Sequence, residues 1–411
     1  MFILAVIAAA LSLSMAQGLA GEFFPDKANY TIQCGNVYCV RVYIGDVNND
    51  GKPDILVCAY PKDKTEPSPG SVLIYFQKES AFTFTPDLSL SVDTPVGIVV
   101  KDFDGDGKND IAVNQRRKWL KLYYACDGFK AKKYRNTNMR SSELLDVNLN
   151  KSRHEKFAAS MLANATWWRI MKNGTVRSTY ICRPPKNQSG QVGLGDLNND
   201  GETDLVYPQH GRLLLYYGPF IFCRSSINPN MLLEYFIIDP SKAPVFQPEG
   251  EKKESHPVRQ NQLHMAEKPV SKSTQSLYYE AYIADFNGDC RMDIAARAND
   301  SISFFYQNAP IGFEQVRPVK LKGKFRQLQV DDLNNDGLTD LVTIDRDGNA
   351  IRIFLQRKGK GFVGNPNEAD QVIKNSGAYQ LCLADINLDG KKDLVLAKYS
   401  TGSIQVFLNQ L

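Results

Sequence analysis

The chain has 411 residues, of which 43% are hydrophobic and 23% charged, a composition that excludes wholesale disorder, collagen and a coiled coil and leaves ample material for a large core. Its 49 Lys and Arg face 45 Asp and Glu, a formal net charge of +4, so it lacks the strong basic excess of a nucleic-acid binder. Only four histidines are present, which leaves little room for a His-rich metal site.

Residues 2–16, FILAVIAAALSLSMA, form an unbroken apolar or small-residue run, followed by the small-x-small sites Ser14-Met15-Ala16 and Gly18-Leu19-Ala20. The pattern reads as a secretory signal peptide over residues 1–20 that lacks the usual basic n-region. An uncleaved signal anchor is the alternative, although the run barely reaches spanning length. No later segment is apolar enough to span a membrane, so a secreted or surface location is expected for the mature chain. Acceptor triplets at Asn29, Asn150, Asn164, Asn173, Asn187 and Asn299 would be glycosylated there. Eight cysteines (Cys34, Cys39, Cys58, Cys126, Cys182, Cys223, Cys290, Cys382) allow up to four disulfides.

A nine-residue acidic pattern then recurs along the chain: DVNNDGKPD from Asp46, DFDGDGKND from Asp102, DLNNDGETD from Asp196, DFNGDCRMD from Asp285, DLNNDGLTD from Asp332 and DINLDGKKD from Asp385. A decayed copy, DVNLNKSRH, starts at Asp146. Successive starts are 56, 44, 50, 89, 47 and 53 residues apart. The long interval holds a polar, Pro- and Lys-rich stretch at 241–276, which reads as a flexible insertion between the fourth and fifth units. Without it the period is about 50 residues.

Each copy sits between β-rich runs. VRVYIG, PVGIVV, QVGLG, YEAYIA, RQLQV and AYQLCLA precede it; DILVCA, DIAV, DLVY, DIAA, DLVT and DLVLA follow. A third run (SVLIYF, LKLYYA, RLLLYY, SISFFY, IRIFL, SIQVFL) and a less regular fourth complete most units. Short Val-, Ile-, Tyr- and Phe-rich runs bounded by turn residues are strands. Four strands per unit in seven units predict an all-β, seven-bladed β-propeller with the acidic loop between the first two strands of most blades. The last unit stops after its third strand, and 22–32, EFFPDKANYTI, would complete it and leave no open edge. A single propeller over 21–411 follows; six blades, with the Asp146 unit a mere loop, is the alternative.

Oxygen donors at positions 1, 3, 5 and 9, with a backbone carbonyl at 7, suit a hard cation of calcium size, and the Gly at position 6 permits a left-handed turn. An EF-hand would need a Glu at position 12 and flanking helices, whereas Val57, Val113, Tyr207, Ala296, Thr343 and Leu396 stand there. Metal-free hairpin turns are the bland alternative, but three or four carboxylates crowded into each of six loops would repel. About six structural calcium sites are therefore expected: Asp46, Asn48, Asp50, Lys52 and Asp54; Asp102, Asp104, Asp106, Lys108 and Asp110; Asp196, Asn198, Asp200, Glu202 and Asp204. The other three are Asp285, Asn287, Asp289, Arg291 and Asp293; Asp332, Asn334, Asp336, Leu338 and Asp340; and Asp385, Asn387, Asp389, Lys391 and Asp393. The seventh copy keeps one carboxylate, with Asn150 and His154 at positions 5 and 9, and is expected to bind none. Six bound divalent cations would raise the formal charge from +4 to about +16, which favours anionic partners.

The repeats resemble the FG-GAP/VCBS repeats of the integrin α-chain head and its secreted or surface relatives, over nearly all of the mature chain. The resemblance implies calcium loops on one face of the propeller and extracellular recognition of protein or glycan on the other. The chain departs from integrins in having no leg domains or membrane span and in carrying an acidic loop in nearly every blade. On the opposite face the loops place Arg116, Arg117, Lys118, Trp119, His210, Arg297, Arg346, Lys398 and Tyr399, cations beside aromatics that suit an anionic, carbohydrate or protein ligand. No nucleophile elbow, zinc-ligand pair or phosphate loop is present, so a binder is expected rather than an enzyme. The expected function is adhesion or recognition of an extracellular protein; a lectin, or less plausibly a polysaccharide lyase, is the alternative. Cys290 replaces the loop Gly, and a disulfide to Cys223 is expected to hold that loop.

Overall fold

The computed structural model describes residues 23–63, 69–78, 81–82, 85–116, 120–134, 143–147, 156–161, 165–170, 176–182, 191–209, 212–217, 235–238, 278–307, 313, 319–359, 361–362, 368–375 and 377–411. The insertion at 241–276, the candidates Arg117, Lys118, Trp119 and His210, and the end of the decayed copy lie outside them.

The fold is all-β. Strand β1 (Tyr30–Gln33) comes first, then β2 (Val37–Gly45), β3 (Asp54–Pro61), β4 (Gly70–Tyr75), the short pair β5 (Gln77–Lys78) and β6 (Ala81–Phe82), and β7 (Leu88–Val92). Next come β8 (Pro95–Lys101), β9 (Asp110–Gln115), β10 (Leu120–Tyr124) and β11 (Lys130–Tyr134), then β12 (Glu143–Val147), β13 (Lys156–Met161), β14 (Ala165–Ile170) and β15 (Val176–Cys182). β16 (Gly193–Gly195), β17 (Asp204–Gln209), β18 (Arg212–Tyr216) and β19 (Tyr235–Ile238) precede β20 (Glu280–Ala284), β21 (Asp293–Arg297), β22 (Ser301–Phe305) and β23 (Val319–Lys322). β24 (Phe325–Asp331), β25 (Asp340–Asp345), β26 (Ala350–Phe354) and β27 (Gln371–Lys374) lead to β28 (Ala378–Ala384), β29 (Asp393–Lys398) and β30 (Ser403–Phe407). They form seven four-stranded antiparallel sheets, and six of these use four strands in sequence order apart from the β5–β6 excursion. The seventh has the order β1-β30-β29-β28, with Tyr30 opposite Val406.

The core lies between sheets. On β3, Ile55, Val57 and Ala59 join a cluster with Val395, Ala397, Ile404 and Val406 of the seventh sheet, while Leu56 and Cys58 join Ile98, Ile111 and Val113 of the second. β29 alternates the same way, sending Leu394 and Leu396 toward the sixth sheet. A strand buried on both faces must be apolar at every position, which is why these segments read as unbroken runs rather than as alternating ones. First strands of neighbouring sheets approach closely: a Cβ on Gly45 would meet the Val100 Cβ at 2.8 Å, so that position has no room for a side chain.

A β-bulge near the start of β2, β8, β24 and β28 interrupts each ladder. Side-chain amides then take the inner-strand groups of the next sheet. Gln327 accepts from the Leu381 N–H at 2.8 Å, and Gln380 accepts from the Val42 N–H at 2.6 Å. These buried amides join sheets that no backbone ladder connects.

Candidate functional site

Two constellations lie at opposite ends of the strands: the acidic loops where first strands end, and an aromatic group where they begin.

All six intact acidic loops lie among the described residues and share one geometry. In five of them the position-1 carboxylate accepts the N–H groups of positions 5 and 6, as in Asp46 from Asp50 (3.1 Å) and Gly51 (3.0 Å), or Asp332 from Asp336 (3.1 Å) and Gly337 (2.8 Å), whereas Asp102 accepts from Gly105 and Gly107. The position-5 carboxylate accepts the N–H of position 7 at 2.8 or 2.9 Å in every loop. Position 6 is left-handed throughout, with φ between +81° and +89° for the five glycines and +65° for Cys290. Position 4 is left-handed too, which the sequence reading missed. Asn49, Asn199 and Asn335 suit that conformation, Gly105 and Gly288 adopt it freely, and Leu388 is held there at φ +60°.

Position 9 differs from the rest of the loop because it is buried. Asp54, Asp110, Asp293, Asp340 and Asp393 are fully buried and Asp204 nearly so. Burial pushes Asp54 up to about 6 and Asp293 and Asp340 up to about 7, and raises Asp110 and Asp393. Each of these carboxylates anchors at least two backbone donors. Asp340, for example, accepts from Leu333 N–H at 2.9 Å and from Gln356 N–H, just past β26, at 2.8 Å. The residue past the third strand also reaches the loop of the preceding sheet. Gln77 Nε2 donates to Ile386 O (2.8 Å), Gln307 Nε2 to Leu197 O (3.1 Å) and Asn409 Nδ2 to Leu333 O (2.7 Å). Neighbouring acidic loops are thus connected through side-chain amides.

The donor set is all oxygen, which suits a hard divalent cation. Asp102, Asp104 and Asp110 each bring a carboxylate oxygen within 4.8 Å of the others, and Asp104, Asp106 and the Cys126 thiol form a second such group. Cys126, exposed beside Asp104, was not foreseen from the sequence. In the loop that lacks its Gly, Arg291 pairs with Asp289. The Cys290 thiol is free; its expected partner Cys223 lies outside the described residues.

At the other end, the expected ligand residues separate into two kinds. Arg297 does not face solvent. It is 9% exposed, pairs with Glu280 through Nε and Nη2 at 2.9 Å each, and donates Nη1 to Phe325 O at 3.0 Å. Glu280 in turn accepts the Leu328 N–H at 3.1 Å, the role that Gln327 and Gln380 play for later sheets. Arg297 therefore neutralises a Glu where the neighbouring sheets carry an amide, and it joins the fifth sheet to the sixth. Arg116 and Arg346 are exposed, as is Tyr399, while Lys398 is half-buried with its pKa lowered by that burial.

Tyr399 is the middle ring of a stack. It lies 4.5 Å from the Tyr38 ring and 5.0 Å from the Tyr379 ring, both near-parallel. Arg326 covers Tyr379 at 4.8 Å and Lys62 stands 5.9 Å over Tyr38. The order Lys62–Tyr38–Tyr399–Tyr379–Arg326 crosses from the first sheet over the seventh to the sixth. Arg326 Nη2 donates to Arg346 O at 2.8 Å, and its buried Nε has no hydrogen-bond partner. Beside it a recess of about 480 Å³ is lined by Lys324, Phe325, Asp345, Arg346, Asp347 and Arg352. Only Tyr399, Lys398 and Arg346 of this region were expected from the sequence; Tyr38, Tyr379 and Arg326 come from strand starts that meet only across sheet junctions.

Among the described residues no helix is long and apolar enough to cross a membrane. No curated protein sequence matches the chain. Solved structures share its fold at low identity. BBS1N in complex with ARL6DN, soaked with lead, is 9% identical and superposes with a TM-score of 0.53 over 94% of this chain and 97% of that one. The mercury-soaked form of the same complex gives 0.54 at 9% identity over the same shares. Apo ctPRC2 in an autoinhibited state gives 0.56 at 8% identity over 95% of this chain and 99% of that one. The model of the FG-GAP-like repeat matches residues 46–113 and 332–410, segments that carry four of the acidic loops. Over those two segments the chain matches the FG-GAP-like repeat.

Proposed function

We propose that the chain is a calcium-stabilised, seven-bladed propeller that recognises a partner protein outside the cell with the face opposite its acidic loops, and that it performs no catalysis. Seven four-stranded sheets, cores between five neighbouring pairs, and a seventh sheet shared by β1 and β28–β30 support the closed ring. Repeated all-oxygen loops support calcium, with Asp, Asn and the position-7 carbonyl holding the ion and no chemistry asked of it beyond charge and cross-linking.

The observation that carries the recognition reading is the capped tyrosine stack. A sugar that packs on tyrosine needs an open ring face, and here each face is taken by another ring or by a cation. What stays accessible are ring edges, with Tyr379 37% and Tyr399 38% exposed, beside the exposed Arg346. Tyr and Arg presented together on a rigid scaffold are the residue types that dominate protein–protein hot spots.

The test is crosslinking of the purified, calcium-loaded protein on cell surfaces, followed by identification of the captured protein. Tyr399→Ala and Arg326→Ala are each expected to weaken that capture by roughly 30-fold or more, the scale of a hot-spot truncation of about 2 kcal/mol. Selective binding to a glycan array that the same variants abolish would overturn the protein reading in favour of a lectin.

The buried position-9 carboxylates give the calcium reading a pH signature. Their folded values near 6 to 7 lie above the unfolded value of 3.8, so the cation-free fold is helped by protonation at low pH and loses that help as pH rises through 6 to 7. Calcium must displace those protons. Its stabilising increment, read as the difference in thermal midpoint with and without the ion, is expected to grow between about pH 5.5 and 7.5. An increment that is flat or shrinks over that window would remove these carboxylates from the binding set.

A further inference from the structure

Cys34 and Cys39 bracket the point where the chain crosses from the seventh sheet to the first. Strand β1 ends at Gln33 on β30, and β2 begins at Val37. Both thiols are buried in one cluster with Ile32, Tyr75, Ile404 and Val406. The two thiols are close enough to perturb each other, and both are free in this structure. A tight turn brings them together: Gly35 sits at φ +87°, and the Val37 N–H donates to Gly35 O at 2.9 Å. The crossing is pressed onto the β29–β30 hairpin. Cys34 N–H donates to Gly402 O at 2.9 Å, and a Cβ on Gly402 would meet Val37 O at 2.1 Å.

The other described cysteines are placed differently, although Cys382 packs against the edge of the same cluster. Cys58 is buried on the opposite face of β3, in the cluster shared with the second sheet. Cys382 turns its thiol to Leu383 O, and Cys126 and Cys290 are exposed near the acidic loops. Cys34 and Cys39 are thus the pair whose backbone, turn and burial already bring sulfur to sulfur.

We propose that Cys34 and Cys39 form a disulfide in the protein as it functions, closing the Cys34–Cys39 turn covalently and clamping β1 to β2. Two S–H bonds break and one S–S bond forms. The two electrons and two protons pass to a disulfide oxidant such as glutathione disulfide, which leaves as two thiols. An oxidising compartment supplies that oxidant, so the proposal rests on the secretory reading of the first twenty residues. It does not depend on the calcium or partner readings.

Both residues fall in one tryptic peptide, from Ala28 to Arg41, which makes the test direct. The full-length protein, secreted from a eukaryotic host without reductant, is alkylated in denaturant, freed of N-glycans because Asn29 shares the peptide, and digested. The expected peptide is unalkylated and two hydrogens lighter than the dithiol, and takes up two alkyl groups only after reduction. Alkylation of both cysteines without reduction, or a crosslink from either to Cys58 or Cys382, would overturn the pairing. A second reading isolates the clamp. Reductant is expected to lower the thermal midpoint of the wild type by about 2–4 °C and to leave a Cys34→Ser/Cys39→Ser double variant unmoved. A reduced wild type that melts with the oxidised one would overturn the clamp.

Discussion

Chelating calcium is expected to lower the thermal midpoint of this protein by roughly 10–20 °C, the largest single change open to it. At millimolar calcium, a site that binds in the range of about 10⁻⁵ to 10⁻⁴ M stabilises the fold by about 1.4–2.7 kcal/mol, and six sites multiply that. The loops also do not act alone. Gln77 and Asn409 attach the loops of the first and seventh sheets to those of the seventh and sixth, so slackening one loop removes an acceptor from its neighbour. Scanning calorimetry of the protein before chelation, after it, and after calcium is restored reads the effect. A midpoint indifferent to chelator would sink the calcium reading, and full rescue by magnesium would call for a smaller, stiffer site than these loops offer.

Removing Arg297 alone should cost about 3–5 kcal/mol, because Glu280, its side chain 12% exposed, would be left charged in a mostly buried place with no counterion. The neighbouring sheets supply the control. Where the fifth sheet has Glu280, the sixth and seventh have Gln327 and Gln380 in the same inter-sheet role. Arg297→Met combined with Glu280→Gln keeps the acceptor for Leu328 N–H, discards both charges, and is expected to recover most of the loss in chemical denaturation. If Arg297→Met alone unfolds at the wild-type denaturant concentration, the pair is ornamental and the correction to its role fails.

How much could be read from the residues depended on how local the cause was. The acidic pattern fixes its own turn: Asp at position 1 is satisfied by N–H groups four and five residues on, so Asp46 and Asp332 declare their loops without help from the rest of the chain. The flanking runs declare strands for the same reason, and the all-β architecture of small antiparallel sheets followed. Arg297 was misread because its partner sits across the ladder on β20, and a cation at a strand end looks the same whether it meets solvent or Glu280. Tyr38 and Tyr379 went unnoticed for a related reason. Each is an ordinary strand residue until packing of the first, sixth and seventh sheets brings it against Tyr399 or Arg326. Leu388 carries the left-handed position that Asn holds in three other loops, a strain that nothing in its own side chain announces.

The pairing of β1 with β30 also sets a clock. Asn29, whose side-chain oxygen accepts the Leu408 N–H, lies 379 residues before it. At translation rates of about 5–20 residues per second, the segment around β1 emerges from the ribosome roughly 20–75 seconds before its partner strand exists. For that interval the nascent chain carries Ile32 and Cys34 with no seventh sheet to cover them. The earliest-made strand of the described chain is thus among the last to find its place, and a chaperone that holds an apolar segment has the most to do at the beginning of this sequence.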